Sequence, residues 1–279
     1  MVYTTLCLSS GSINGIAFIG ILEYLEKINY INMLSFESYV GTSCGAILCF
    51  LFSIGYSLSE IKYFILHFNL NLLKESLFSN ILNLWYNCSI YSGTKLIYLF
   101  SQLLNNKLNM VDITFLEHYE ITHTKLNIIG TNLNKNREVL FNYEKTPNMS
   151  VILALRITCS IPFIFTPVQY NDEVYVDGAI VNHFPIKYCD IETTLGIILK
   201  VKFTMPCTSF KTYIKKYISL IINANGSLDY KHKHKNIIEL CIKLNNIIDI
   251  FNITYHDKLK LIKYGKLYTI KFLNKYFNE

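Results

Sequence analysis

Hydrophobic and polar positions change period several times along this chain, and each change predicts an element. Val2–Leu8 (VYTTLCL) is β-branched at several positions and predicts a short strand, followed by a small-residue turn over Ser9–Gly15. In GIAFIGILEYLEKI the apolar positions Ile16, Ile19, Leu22 and Leu25 return at helical spacing, with Glu23 and Lys27 on the other side. Phe36–Val40 predicts a second strand, Gly41–Gly45 a turn and Ala46–Gly55 an apolar helix. Strand–turn–helix thus occurs twice before residue 56, which argues for an α/β fold with parallel strands.

Further along, Leu58–Leu104 reads as mostly helical with a break near Tyr91–Gly93. Lys125–Leu133 and Glu138–Asn142 read as strands joined by a turn at Asn134–Asn136. A helix is expected from Pro147 to about Cys159, then a hairpin over Val168–Val176 turning at Asn171–Asp172 and ending at Asp177–Gly178. Leu195–Phe203 is one more strand candidate. From Ser209 onward the Lys/Ile/Asn-rich pattern predicts helix, with a loop at Asn223–Gly226. No internal repeat or low-complexity linker interrupts the pattern.

One stretch allows two readings. Between Glu37 and Glu60 there is no Asp, Glu, Lys or Arg, and about 20 apolar residues span a bilayer. This stretch, however, holds Gly41, Thr42, Ser43, Gly45 and Gly55, and its strictly apolar part is about ten residues long, the length of a buried core helix. Composition suits a large core: of 279 residues 51% are hydrophobic and 16% charged, which argues against disorder. The many Tyr and Phe residues belong mostly to that core, with some left to line a groove.

The eight cysteines form no C-x-x-C pair, so zinc and redox motifs find no support. The N-terminal stretch has no basic region before its apolar part. The expectation is reduced thiols and an intracellular protein, cytoplasmic or peripheral to a membrane. Charge is uneven. Residues 200–279 hold 15 lysines against 5 acidic residues, whereas residues 1–199 hold 11 basic and 15 acidic ones. A basic C-terminal segment suits an anionic partner, a phospholipid surface or nucleic acid; its plainer reading is a solvated lysine face of helices.

Three motifs carry chemistry. Gly41-Thr42-Ser43-Cys44-Gly45 fits G-x-S-x-G, the turn that exposes a nucleophilic serine between a strand and a helix. It falls where a strand is predicted to end and an apolar helix to begin, the context such a nucleophile requires. A serine nucleophile ordinarily needs a histidine base, but of the seven histidines only His183 lies near a strand end and turn. Asp177 is better placed, directly after a strand and ahead of Gly178; the ordinary alternative is a plain Asp-Gly turn. Ser10-Gly11-Ser12-Ile13-Asn14-Gly15, between the first strand and first helix, offers backbone amides to an oxyanion or phosphate. It is neither a P-loop nor a clean dinucleotide motif, and taken alone it is an ordinary connection.

Taken in order, these motifs resemble the patatin-like phospholipases. GIAFIGILEYLE (15–26) is similar to that family's first helix, and VGTSCGAILCFLFSIGYSLSEI (40–61) to its elbow segment. TPNMSVILALRITCSIPFIFTPV (146–168) resembles its helix and S-x-P turn, and YVDGAIVNHFPI (175–186) its Asp-Gly-Gly/Ala motif, here Asp177-Gly178-Ala179. The likeness covers about residues 3–190, expected as the acyl hydrolase domain. Residues 191–279 are expected to hold the end of the α/β core and a Lys-rich helical extension. The resemblance implies a three-layer α/β/α sandwich around a mainly parallel sheet, and hydrolysis of acyl esters in phospholipids and related lipids. It further implies a Ser43–Asp177 dyad without histidine, with Gly11 and Ser12 amides as the oxyanion hole. It implies neither metal nor cofactor. The expected partners are lipid substrate and an anionic membrane surface contacted peripherally; nucleic acid is not expected, and oligomeric state stays open.

The sequence departs from the family at one point. Its glycine-rich turn usually reads Gly-Gly-Gly-x-Arg/Lys-Gly, whereas here Ser10 and Ser12 replace glycines and Asn14 the cation. Serine reaches positive φ less easily than glycine, and a badly aimed oxyanion donor costs about 10²–10³ in rate. A slow enzyme, a lipid-binding pseudoenzyme and an esterase of small esters therefore stand beside the phospholipase reading. Arg156 is expected in a structural ion pair and Cys44 as a small buried residue.

Overall fold

A computed structural model describes residues 3–75, 88–203, 208–226, 234–244 and 251–277. Strand β1 (Thr5–Leu8) lies parallel between β2 (Ser38–Thr42) and β9 (Thr194–Phe203), and β2 pairs parallel with β4 (Lys125–Asn132). β10 (Ile237–Leu244) continues the sheet parallel to β9. β5 (Arg137–Phe141) and β8 (Glu173–Asp177) run antiparallel to β4, and β7 (Val168–Tyr170) closes the hairpin with β8. A separate pair joins β3 (Ser89–Tyr91) to β6 (Phe163–Phe165).

Parallel strands bury both faces, so alternate residues serve different sides of the sheet. Leu6, Leu8, Leu195, Ile197 and Leu199 point into the main core. Cys7, Val40, Ile198 and Ile237 point to the opposite face, against Phe184 and Ile186. The main core holds α1 (Ala17–Lys27), α2 (Cys44–Ser53), α4 (Thr94–Leu108) and α6 (Val151–Thr158). α3 (Leu58–His67) and α5 (Phe115–Thr122) start at capping boxes, Ser57 with Glu60 and Thr114 with Glu117, each satisfying two otherwise unpaired amides. α7 (Phe210–Gly226) lies beside β9 and the turn Gly178–Ile180. The result is the expected mixed α/β fold on one central sheet.

The last helix, α8 (Tyr255–Phe277), packs lengthwise on α1. Two glycines permit that approach. A Cβ on Gly20 would lie 1.8 Å from the Ile262 carbonyl oxygen, and one on Gly265 2.1 Å from that of Ala17. At the start of α8 the buried Lys258 donates to the Phe68 carbonyl at 2.6 Å, just beyond the end of α3.

Several expectations are corrected. Ser209 onward is not uniformly helical, because β10 adds a strand; its Ile237, Ile238, Leu240 and Ile242 are buried in the sheet. The expected loop at Asn223–Gly226 is the last turn of α7. The helix expected from Pro147 starts at Val151 under a Ser150 cap, leaving the Pro147 and Met149 carbonyls free to accept from α5. The helical stretch proposed for 58–104 breaks at Phe68 and contains β3; its residues 76–87 lie outside the described residues, as do Val2 and 227–233 and 245–250 of the expected C-terminal helices. Among the described residues no helix is long and apolar enough to cross a membrane, and the charge-free stretch is β2, its turn and α2.

Candidate active site

Ser43 sits at the junction of β2 and α2 with φ 54° and ψ −124°, a conformation that costs a non-glycine residue about 1–3 kcal/mol. The surroundings hold it there. Its amide donates to Thr158 Oγ1 at 2.9 Å, its carbonyl accepts from Ile47, and its hydroxyl donates to Asp177 Oδ2 at 2.7 Å. Thr158 in turn donates to the Ile129 carbonyl at 2.5 Å. The glycines of the turn work by closeness: a Cβ on Gly45 would lie 2.5 Å from the carbonyl oxygens of Leu8 and Ser9. Gly41, in β2, is packed as tightly against Ala46.

Asp177 ends β8 and is itself buried. Its amide donates to the Ser160 carbonyl, its carbonyl accepts from Thr131 Oγ1, and its Oδ1 accepts from the Ala179 amide at 2.9 Å across the Gly178 turn. Burial pushes its pKa up to about 7, partly opposed by the Ala179 amide and the Ser43 hydroxyl. A carboxyl in that range is matched to proton transfer near neutrality.

The turn after β1 lies beside this pair. Ser12 and Gly15 border the same cavity as Ser43, and a Cβ on Gly15 would meet Cys44 Sγ at 2.5 Å. Ser12 does adopt the left-handed region, φ 50°, that its replacement of glycine put in question. Gly11 has φ 176°, extended backbone that any residue adopts, and among the described residues its amide meets no protein acceptor. Ile13 borders the cavity, while Asn14 is buried with no partner for its Oδ1.

From Ser43 an apolar cavity of about 200 Å³ runs between α2, α3 and α4. Ile47 and Leu51 of α2 line it, with Phe64, Phe68, Phe100, Phe165 and Phe251 opposite. Cys44 is half-buried and borders the cavity, and burial together with the Asp177 charge pushes its thiol up to about 12. It is an inert wall rather than a second nucleophile.

Thr158, which holds Ser43, was singled out by no sequence argument, and Ser160, whose carbonyl holds the Asp177 amide, was marked only as the serine of the S-x-P turn and given no role. They lie in the T-C-S run inside a segment read only as helix and turn. Arg156 is structural, but its partners are Ser160 Oγ and the Ser92 and Thr166 carbonyls rather than a carboxylate. No histidine among the described residues bonds to Ser43. His183 bonds instead to Ser10.

An elbow serine bonded to a buried aspartate at the end of a neighbouring strand, with an apolar cavity beside it, is the arrangement of a serine–carboxylate α/β protein. The chain belongs to the patatin-like phospholipase family, whose model matches residues 6–190. It is 36% identical over 188 residues to a probable lipid hydrolase of Invertebrate iridescent virus 6, an alignment covering 66% of this chain and 62% of that protein. It is 30% identical over 292 residues to an uncharacterised protein of Acanthamoeba polyphaga mimivirus, covering 96% and 94%. Among solved structures it is similar to VipD from Legionella pneumophila, with a TM-score of 0.65 at 17% identity over 99% of this chain and 67% of that one. It is also similar to ExoU of Pseudomonas aeruginosa in its complex with SpcU, with a TM-score of 0.53 at 17% identity over 98% and 51%. These two likenesses concern the fold.

Proposed function

We propose that the protein is a lipid acyl hydrolase of phospholipase A type, acting through a Ser43–Asp177 dyad. The observation that carries the reading is the 2.7 Å hydrogen bond from Ser43 Oγ to Asp177 Oδ2 at the mouth of an apolar cavity. Membership of the patatin-like family and the likeness to a viral protein named a probable lipid hydrolase support it.

In the proposed cycle the Asp177 carboxylate takes the Ser43 hydroxyl proton as Oγ attacks the ester carbonyl carbon. The Gly11 and Ser12 amides, with the N-terminus of α2 nearby, stabilise the tetrahedral oxyanion. Collapse breaks the acyl–oxygen bond, and the leaving alcohol takes the proton from Asp177. Water then attacks the acyl-enzyme, losing its proton to Asp177; the fatty acid departs and Ser43 regains its proton. The acyl chain lies in the apolar cavity, which suits lipid esters above small soluble ones.

The decisive experiment is fluorophosphonate labelling of wild type, Ser43→Ala and Asp177→Asn. Labelling of wild type that is lost in both variants supports the dyad. Folded wild type that stays unlabelled overturns it and leaves a lipid-binding protein. We further propose peripheral contact with anionic membrane through the basic C-terminal part. Lys260, Lys263, Lys271 and Lys275 are exposed along α8, beside the exposed Tyr264 and Leu267. Binding to anionic vesicles should fall steeply with salt; salt-independent binding would exclude this contact.

A further inference from the structure

The turn that carries Gly11 and Ser12 has serine at 9, 10 and 12, and it is tightly held. Ser9 Oγ accepts from the Leu199 amide at 2.9 Å and donates to the Ser10 carbonyl at 2.8 Å. The Ser10 amide donates to the His183 carbonyl at 2.9 Å. The Ser10 hydroxyl meets His183 Nδ1 at 2.5 Å, and His183 Nε2 lies 2.8 Å from the Leu199 carbonyl. Ser9, Ser10, Leu199 and His183 are buried, and together they close a ring.

The chemistry fixes the protons in this ring. A carbonyl only accepts, so His183 Nε2 carries the hydrogen bonded to Leu199. In the neutral ring Nδ1 is then an acceptor, and the Ser10 hydroxyl must donate to it. Burial lowers the His183 pKa to about 4, assisted by the charge of Lys200 on β9, so the ring is neutral at working pH.

Ser10 is therefore held at three points in two successive peptide planes. Its amide, in the Ser9–Ser10 plane, is bound by the His183 main-chain carbonyl, its hydroxyl by the His183 ring, and its carbonyl, in the Ser10–Gly11 plane, by Ser9 Oγ. Because a trans peptide is planar, fixing the Ser10 carbonyl also fixes the direction of the Gly11 N–H on the opposite side. A ring of side chains thus does here what preferred glycine conformations do in a glycine-rich turn. It also explains a histidine near the site that does not touch the nucleophile.

We infer that His183 is a positioning residue for hydrolysis, acting through Ser10 to aim the turn that presents the Gly11 and Ser12 amides. This rests on the oxyanion role given to those amides under the proposed function. The ring predicts a difference between two substitutions that a merely structural histidine does not. In His183→Asn the side-chain oxygen can replace Nδ1 as acceptor for Ser10. In His183→Gln the side-chain amide can replace the Nε2 donor to Leu199 but leaves Ser10 without its acceptor.

The experiment measures kcat and KM for a soluble 4-nitrophenyl acyl ester, with thermal unfolding of each protein alongside. Its variants are Ser10→Ala, His183→Asn, His183→Gln and the double variant Ser10→Ala/His183→Gln. A misaimed oxyanion donor acts on the transition state, so Ser10→Ala should lower kcat about tenfold or more with KM within about twofold. His183→Asn should retain more kcat than His183→Gln, and the double variant should be no slower than the worse single one. Equal kcat in the two His183 variants, independent losses in the double variant, or unchanged kcat in Ser10→Ala overturns the inference. If the His183 variants fail to fold, Ser10→Ala alone decides. Wild type inert towards both ester and fluorophosphonate overturns the proposed function, and this inference with it; active wild type with insensitive variants overturns this inference alone.

Discussion

Thr42 and Asp177 meet end to end along one flank of β4: Thr42 faces Ile129, and Asp177 faces the next residue, Gly130. β5 pairs with both Ile129 and Gly130 and so occupies the other flank. β2 arrives parallel to β4 and β8 antiparallel to it, and their ends converge at one register step. Ser43, the residue after Thr42, is brought to Asp177 by the sheet itself. Strand pairing fixes positions more firmly than a loop does, which suits a pair whose chemistry depends on a single hydrogen bond.

The shifted carboxyl gives the first prediction. With Asp177 raised to about 7 by burial, the basic form needed to accept the Ser43 proton accumulates as pH rises through that value. kcat/KM should rise with pH, bend near 7 and level off above it. Stability moves oppositely. The folded pKa lies above the ordinary aspartate value of 3.8, so the stabilisation is complete below about pH 4 and is lost as pH rises through about 7. Asp177→Asn should abolish hydrolysis yet unfold at higher temperature than wild type at pH 8, by up to about 4 kcal/mol at about 1.4 kcal/mol per pKa unit. Melts at pH 4 should show no such gain. A variant no more stable than wild type at pH 8 would contradict the buried, charged Asp177.

Thr158 gives the second. Its hydroxyl links the Ser43 amide to the Ile129 carbonyl, tying the strained nucleophile to β4. Thr158→Val preserves shape and removes the link, leaving a buried donor and a buried acceptor unpaired at about 1–3 kcal/mol each. Urea unfolding should show that loss. kcat should fall about tenfold or more as Ser43 relaxes, since near-attack geometry is sensitive to small displacements. Wild-type kcat in a destabilised Thr158→Val would mean that the elbow holds without this bond.

The sequence made the strand–turn–helix units legible because their apolar periods are clean and their turns are marked by small residues. Ser43 and Asp177 were legible as candidates since each follows a strand, but nothing local says that β2 and β8 share one flank of β4. That follows from two separate pairings, Thr42 with Ile129 and Gly130 with Asp177, which together bring Ser43 to Asp177, 134 positions away. The roles of Thr158 and Ser160 were hidden for the same reason: a threonine at a helix end shows its purpose only when the strand it serves lies beside it. β10 was missed because its apolar run, IIELCIKL, sits among lysines and asparagines that read as helix. His183 was noticed for its place near a turn, but its partner Ser10 could not be inferred at that distance.

The crossing of α1 and α8 gives the third prediction. Gly20 and Gly265 each face a backbone carbonyl on the other helix, which cannot swing aside as a side chain can. Gly265→Ala should force the helices apart, an overpacking that costs about 1–3 kcal/mol or more. Truncation after residue 190 should be far worse, because β9 pairs with β1 throughout Thr5–Leu8. We expect that fragment to be recovered only as insoluble or unfolded chain, judged by circular dichroism. A folded 1–190 fragment would show that the matched region stands without β9, β10 and α8.

The cavity gives the last. Ile47 and Leu51 lie four and eight residues beyond Ser43 on the same helix and both face the cavity. At about 1.5 Å per residue, Leu51 stands roughly 12 Å along α2 from the nucleophile. An acyl chain bound at Ser43 must pass it to go deeper. Leu51→Trp should therefore block the far part and leave the near part open. On a series of 4-nitrophenyl esters, kcat/KM for butyrate should stay within about threefold of wild type, while that for long-chain esters falls by about tenfold or more, the scale set by one to three kcal/mol of lost apolar contact. Leu51→Ala should keep or extend long-chain activity at a cost in stability of about 2–5 kcal/mol. A uniform loss across chain lengths in Leu51→Trp would show a general disturbance of the site, and unchanged preference would move the acyl chain out of this cavity.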